Sequence, residues 1–470
     1  MFLHEWRTRL GQPAALASLA AFAAILIFAA LSGRVERDAR SNATADHEAQ
    51  TSAAMQDWLA NLKALETRGE QAGVPPWSAS PMDLELSSSL PPAPLADFSI
   101  GQADLLPSTG KLSLWDPDVR LFSRYELEDP VSLALGAFDL SKAIVLLLPL
   151  LLIVLSFDVL SAERDAGRLG LTLVQAVGLR RLFWQRLASR GAVVIGLALL
   201  LAAAALSFNA GAGSLPDRLP SFALWAACAF LYGMLWVAII AYAATRNRSG
   251  ESNIVQLLLC WAGLTLVVPA AVTATAEAIY PTPSRLAYLA EARQIEIATE
   301  RAVDNIASSS FLDHPELVIE NASEMPAYLR TAYFVTSTVD QATRPVLDEF
   351  ESTAARRDKA LALVRYTSPA IIAHGVFNDA AGSSSARHRR YMAQARAYKA
   401  AYAEQAGPYI AAGQLMPSER VTSFPRFQFR DVPFRSILAG ALPALVFLAL
   451  AAAALLAAAD RRLRRFRLLS

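Results

Sequence analysis

Residues 13–32 read PAALASLAAFAAILIFAALS. The stretch holds no ionisable side chain and is about 20 residues long, the length a helix needs to cross a hydrocarbon core ~30 Å thick. A secretory leader is the competing reading, since Arg7 and Arg9 precede the stretch and Leu31-Ser32-Gly33 offers small residues. The apolar run outlasts the roughly 7–15 residues of a leader's apolar region, and no clean Ala-x-Ala follows it, so it reads as an anchor.

Five further stretches share this character: 139–160, 191–208, 221–244, 254–274 and 434–459. Lipid offers no partner for backbone N–H and C=O groups, so each must close its own hydrogen bonds as a helix. The Ala/Leu composition without alternation argues against a barrel. The expected fold class is therefore an all-α membrane protein with six transmembrane helices and two mainly helical extracytoplasmic domains, 33–138 and 275–433. Overall charge says little, with 43 basic against 42 acidic residues, and gives no reason to expect nucleic acid as a partner.

The placement of arginine gives the orientation. Arg7 and Arg9 precede the first span. Arg164, Arg168, Arg180, Arg181, Arg186 and Arg190 lie between the second and third. Arg246 and Arg248 follow the fourth, and Arg461, Arg462, Arg464, Arg465 and Arg467 follow the sixth. The short opposite loop, Asn209 to Pro220, carries only Arg218. Both termini are thus expected in the cytoplasm, with residues 1–12 an interfacial helix, 161–190 a cytoplasmic loop, and 460–470 a basic tail. An Ala- and Arg-rich chain of this kind fits the inner membrane of a GC-rich bacterium, with the large domains periplasmic.

The outer segments differ in texture. Val35 to about Gln71 has no Pro, is rich in Ala, Glu, Gln and Asp, and reads as an outward continuation of the first helix. After Gly73, seven prolines between Pro75 and Pro107 predict loop with short extended pieces. In the second outer segment, helices are expected near Arg285–Ser308, Met325–Tyr366 and Ser385–Ala406. Both cysteines, Cys228 and Cys260, fall inside spans, so the outer segments are expected to be stabilised by packing against each other, without disulfides. The basic run around Ser383–Arg390 reads as a solvated face, with an anionic ligand as the sharper alternative.

Chemistry is sparse. The five histidines show no metal-ligand spacing, no Walker or nucleophile-elbow motif occurs, and any ATP hydrolysis must come from another chain. Asp139, Lys142, Glu277 and Arg435 near the outer ends, and Asp158 near the inner end, read as hydrated or paired rather than as a polar corridor. Pro149, Pro269 and Pro443 interrupt spans and permit kinks. Two short segments carry an apolar stripe beside charge. One is Leu169, Leu173, Val174 and Val177 in the loop after the second span. The other is Phe2, Leu3, Trp6 and Leu10 at the start, opposite Glu5, Arg7 and Arg9. Each suits an interfacial helix, and the first suits equally a docking surface for a soluble partner.

Glu163-Arg164-Asp165-Ala166-Gly167-Arg168-Leu169, followed by Gln175 and Arg180-Arg181-Leu182, resembles the cytoplasmic motif of ABC-2 type permeases. The family pattern is approximately E-R-E-x-G-T-L, then Q-P-[VI]-S-R, then a Gly-Lys pair. Here Arg168 stands at the usual Thr, Val177 near the usual Pro, Gly178 near the usual Ser, and Gln185-Arg186 at the Gly-Lys. Leu95 to Gln102, Asp104-Leu105-Leu106-Pro107, Asp129-Pro130 and Gly136-Ala137-Phe138-Asp139-Leu140 are similar to an uncharacterised subgroup with large outer domains after helices one and five. His4-Glu5-Trp6-Arg7 and Tyr366-Thr367-Ser368-Pro369 extend the likeness along the chain.

The resemblance implies a non-catalytic permease subunit that pairs with a second permease copy or a relative and with cytoplasmic ATPase subunits, which carry the ATP and Mg. It also implies that Glu163, Arg164, Asp165, Gly167, Arg168, Leu169, Gln175, Arg180 and Arg181 form the coupling segment the ATPase grips, with Glu5, Trp6 and Arg7 on the interfacial N-terminal helix. The alternative is a membrane-anchored assembly or signalling protein whose outer domains bind a partner without moving a cargo.

Overall fold

A computed structural model of the chain describes residues 11–101, 106–118, 138–161, 178–208, 214–246, 249–279, 281, 285–302 and 325–464. Helix α1 spans Pro13–Arg68, α2 Leu140–Ser156, α3 Leu179–Phe208, α4 Leu215–Ala244 and α5 Gly250–Ile279. Then follow α6 Arg285–Arg301, α7 Ala327–Val364, α8 Pro369–Ala381, α9 Ser385–Ala412, α10 Ser418–Ser423 and α11 Phe434–Arg464. The strands described are β1, Leu86–Ser89, and β2, Thr109–Leu112, which pair antiparallel with Leu86 opposite Leu112. The chain is a mainly helical membrane protein. Among the described residues α1, α3, α4, α5 and α11 are long and apolar enough to cross a bilayer, and α2 is a shorter apolar helix.

The apolar helices share one core. Leu26 and Ala29 of α1, Leu148 and Leu152 of α2, Val194 and Ala198 of α3, Trp225 and Trp236 of α4, and Ala444 and Leu448 of α11 are all within it. Small residues permit the close approaches, as expected where lipid gives no hydrophobic drive between helices. A methyl group on Gly233 of α4 would lie 2.8 Å from the Ile195 side chain of α3. Tyr232, buried in α4, donates its hydroxyl to the Val145 carbonyl at 2.8 Å.

α1 does not stop at the edge of this bundle. It runs 56 residues without a break, about 84 Å at 1.5 Å per residue. Its far end carries Trp58, Leu62 and Leu65 into a second core with Met82, Leu84, Leu86, Leu112, Tyr391, Tyr402, Ile410 and Val421. Residues from both long segments, 33–138 and 275–433, therefore close a single core. Buried polar tips bind it together: Trp58 donates to the Ser80 carbonyl at 3.1 Å, and Tyr402 to the Pro81 carbonyl at 3.0 Å. The continuation expected over 35–71 is this part of α1.

Several helix limits differ from those read in the sequence. α3 begins at Leu179, so the basic stretch to Arg190 assigned to a loop is helix continuous with the third span. α4 begins at Leu215 rather than 221, placing Arg218 in its first turn. Within α5, residues Gly263–Val267 form a π turn immediately before Pro269. α8 lies in the stretch between the helices expected at Met325–Tyr366 and Ser385–Ala406, where none was expected: Pro369 is its first residue and Ser368 caps it.

Candidate functional site

The most elaborate polar arrangement lies where the loop at Leu95–Gly101 threads into one end of the bundle. Leu95, Asp97, Phe98, Ser99 and Ile100 are all buried. The Phe98 ring stands edge-on to Trp225 at 5.2 Å and to Phe222 at 5.9 Å, so the loop is wedged against α4 by aromatic contact. Ser141 donates to the Phe98 carbonyl through both its N–H, at 3.0 Å, and its hydroxyl, at 2.9 Å. Trp225 donates in turn to the Ser141 hydroxyl at 2.9 Å. Asp139 caps α2 by accepting from the Lys142 N–H at 2.7 Å, and its other oxygen accepts from the Ile100 N–H at 2.9 Å.

Two arginines converge on Asp97. Arg218 donates to both Asp97 oxygens at 3.2 Å, and to the carbonyls of Pro94 at 2.8 Å and Leu206 at 3.2 Å. Arg37 of α1 approaches the same carboxylate at 3.8 Å while also bonding Asp38 at 2.6 Å. Asp97 and Arg218 are 0% and 1% exposed through their side chains. Charges withdrawn this far from water persist only when well paired, and here each of the three guanidinium nitrogens of Arg218 has an acceptor. Ser99 donates to Asn378 of α8 at 2.6 Å. One loop thus ties α1, α2, α4 and α8 together.

The opposite end of the bundle is held by a second set of charges. Arg190 of α3 donates to Asp158 at 2.9 Å and to the Leu155 carbonyl at 2.8 Å. Asp460 of α11 accepts from Arg180 at 2.5 and 3.1 Å, from Trp184 at 3.1 Å and from Arg464 at 3.0 Å. Arg462 lies over the Tyr242 ring at 4.4 Å, joining α11 to the end of α4. This end is therefore rich in arginine, and α3, α4 and α11 are cross-linked there.

A third feature is a cavity of about 480 Å³ between α7 and α9, beside the second core. Lys399, only 5% exposed, stands in its wall and donates to Asp118 at 2.9 Å, to Asp340 at 3.5 Å and to the Asp116 carbonyl at 2.6 Å. Burial pushes the Asp340 carboxyl above the usual carboxylate range, with the Lys399 ammonium opposing it. Arg396 and Glu351 pair across the same wall.

Of the residues named from the sequence, Glu5, Trp6, Arg7, Glu163, Arg164, Asp165, Gly167, Arg168, Leu169 and Gln175 lie outside the described residues. Arg180 and Arg181 are on the first turn of α3, Arg180 engaged with Asp460 and Arg181 exposed. The basic run at Ser383–Arg390 is largely spent within the protein. Arg387 pairs with Asp431 at 2.6 Å and stacks over Phe429, and Arg389 pairs with Asp358 at 2.5 Å. The Asp97–Arg218 pair was not anticipated as a site. Its traces in the sequence were the lone basic residue of a short loop and an Asp in the Leu95–Gln102 segment.

The family model described as Domain of unknown function (DUF3526) matches residues 285–430, from the start of α6 to the approach to α11. No curated protein matches the chain.

Proposed function

We propose that this chain is the permease subunit of an ABC-2 type transporter, with six transmembrane helices, both termini in the cytoplasm and the outer core in the periplasm of a bacterial inner membrane. It works with a second permease copy or a relative, and with a separate ATPase that supplies ATP and Mg chemistry. The observation that carries the reading is the unbroken α1, which enters the bundle core at Leu19 and the outer core at Trp58. A helix without a break transmits displacement along its length. Closure of the ATPase pair against Glu163–Gln175 and the N-terminal helix then tilts α1 and α2, and the outer core moves with them.

The arginine-rich end of the bundle supports the same polarity, because cytoplasmic loops carry the excess of Arg and Lys. The interior of the bundle favours export of an amphipathic or peptide-like cargo, or work on the outer core, over passage of a small ion. Trp225, Trp236 and Tyr232 fill it at 0% exposure. That same apolar filling is what favours the second reading, an anchored assembly or signalling protein whose outer core binds a partner.

The test is copurification of tagged chain from membranes with its neighbouring genes expressed, comparing wild type with Glu163→Ala and Gly167→Pro. An ATPase retained by the wild type and lost from either variant supports the permease. Its absence from the wild type in mild detergent overturns it in favour of the anchored binding protein.

A further inference from the structure

We propose that the cavity between α7 and α9 binds a short, extended peptide with both ends charged, its ammonium beside Asp118 and its carboxylate between Arg344 and Arg396. The inference does not rest on transport, because such a site serves a permease and an anchored receptor alike.

The cavity is built into the way the two helices pair. They run antiparallel: Arg389 pairs with Asp358, Arg396 with Glu351 and Lys399 with Asp340. The last two contacts are 3 positions apart on α9 and 11 apart on α7, about 5 Å against about 17 Å of helix. The two long side chains therefore reach apart and frame an opening. Pro345 lies within that stretch of α7, where Val346, Leu347 and Phe350 pack on Ala292 of α6 instead. On α9 the facing residues are Ala393, Ala397 and Ala400, exposed and at helical spacing, while Tyr391, Tyr402 and Ile410 serve the second core. The resulting space of about 480 Å³ is of the size that holds small ligands.

Its two ends differ in charge. At one end, Asp118 and Asp340 share the single ammonium of Lys399, which also donates to the Asp116 carbonyl. Asp340 accepts further from the Asp118 N–H at 2.6 Å. Two carboxylates offer about eight acceptor sites, so most stay open, and one negative charge is left over. Burial pushes the Asp340 carboxyl above its usual range even with Lys399 beside it, so a second cation there is favourable.

At the other end Arg344 has no hydrogen-bonding or ionic partner among the described residues, and Asp348, one turn along, forms no ion pair with it. Arg396 gives Nη2 to Glu351 and keeps Nε and Nη1 unspent. Asp348 and Glu351 balance the two arginines in charge, so the attraction here lies in N–H geometry: two guanidiniums, one from each wall, suit a carboxylate. Gln341 lies between the ends with its amide unpartnered among the described residues, matching a peptide group in both donor and acceptor. An extended chain of four residues spans about 13 Å, which fits the framed stretch, and the alanine row admits its side chains.

The experiment uses the full chain in detergent, titrated calorimetrically with tetra-alanine carrying free ends, an acetylated amino end or an amidated carboxyl end. Saturable binding of the free-ended peptide is expected, weaker by on the order of tenfold for each end blocked. Asp118→Asn should erase the difference made by acetylation and Arg344→Gln the difference made by amidation, each leaving the other intact. Ala397→Phe, which fills the cavity, should abolish binding at an unchanged Tm, and Ala393→Phe takes its place if that variant does not fold. No saturable heat from the wild type up to about 1 mM tetra-alanine overturns the proposal. So does binding indifferent to both blocked ends, or binding that persists in the folded phenylalanine variant, since the peptide then sits elsewhere on the chain.

Discussion

Ser368 donates its hydroxyl to the backbone carbonyl of Leu264 at 2.5 Å, joining two helices whose residues there are 104 apart in sequence. The need for that bond arises inside α5. In the π turn the Val268 N–H reaches back five residues to Gly263, and the next group in that register would be the N–H of residue 269. Residue 269 is proline and has none, so the Leu264 carbonyl would be stranded. The same Ser368 oxygen caps α8. Ser368→Ala removes both functions and is expected to cost about 2 kcal/mol, combining a lost cap with an unsatisfied buried carbonyl. Thermal unfolding in detergent should show a clearly lower Tm for this variant, partial recovery in Ser368→Thr, and almost no change in Ser423→Ala, whose hydroxyl is exposed. An unchanged Ser368→Ala would show that α5 does not depend on the cap.

The Asp97 seam predicts an ordered series. Asp97→Ala leaves Arg218 buried without its carboxylate, an arrangement that costs about 3–5 kcal/mol. Arg218→Met leaves Asp97 only the more distant Arg37 as its cation and strands the carbonyls of Pro94 and Leu206, and should be similarly severe. Arg37→Met is milder because Arg218 continues to hold Asp97. Urea or thermal unfolding of the purified chain checks the order, and a loss at Arg37→Met equal to that at Asp97→Ala would contradict it.

How much of this was legible follows from the kind of signal each element leaves. Pro13–Ser32 announced itself by lacking charge, and the absence of proline to residue 71 carried the helix onward to Arg68. α8 left a fainter trace, because its charge-free run is short and Thr367-Ser368-Pro369 reads as punctuation. Its apolar residues also follow no single face: Ala370, Ala373 and Phe377 are buried, and so are Ile372, Val376 and Ala380. The Asp97–Arg218 bond joins residues 121 apart through a loop threaded into the bundle, a contact without periodicity or motif. The start of α3 reads as loop in the sequence because of its charge. Those charges are the reason it can end there, with Arg180 on Asp460 and Arg190 on Asp158.

Glycine packing separates two substitutions that look alike in sequence. A methyl group on Gly33 would meet the Asp97 carbonyl oxygen at 2.0 Å, a contact with backbone that cannot rotate away. Gly33→Ala must therefore push α1 off the Leu95–Gly101 loop, with a cost of about 1–3 kcal/mol for overpacking. At Gly196 of α3 nothing lies within 4 Å, and alanine there should be neutral or stabilising by up to about 1 kcal/mol through helix propensity. Parallel Tm measurements decide it, and equal behaviour of the two variants would refute the close approach.

The Asp340–Lys399 contact carries a pH dependence of definite sign. The Asp340 carboxyl is raised above its free value of 3.8, so between that value and the raised one the folded chain binds a proton more tightly than the unfolded chain. Its ionised form is thus a cost to the folded state at neutral pH, and this cost is relieved as pH falls through the raised value. Asp340→Asn removes the titration while leaving the shape. The Tm of the wild type minus that of Asp340→Asn should therefore increase as pH is lowered from 7 toward about 4, where the free carboxyl begins to protonate as well. If the difference instead shrinks on acidification, attraction to Lys399 outweighs burial and the Asp340 carboxyl lies below its free value.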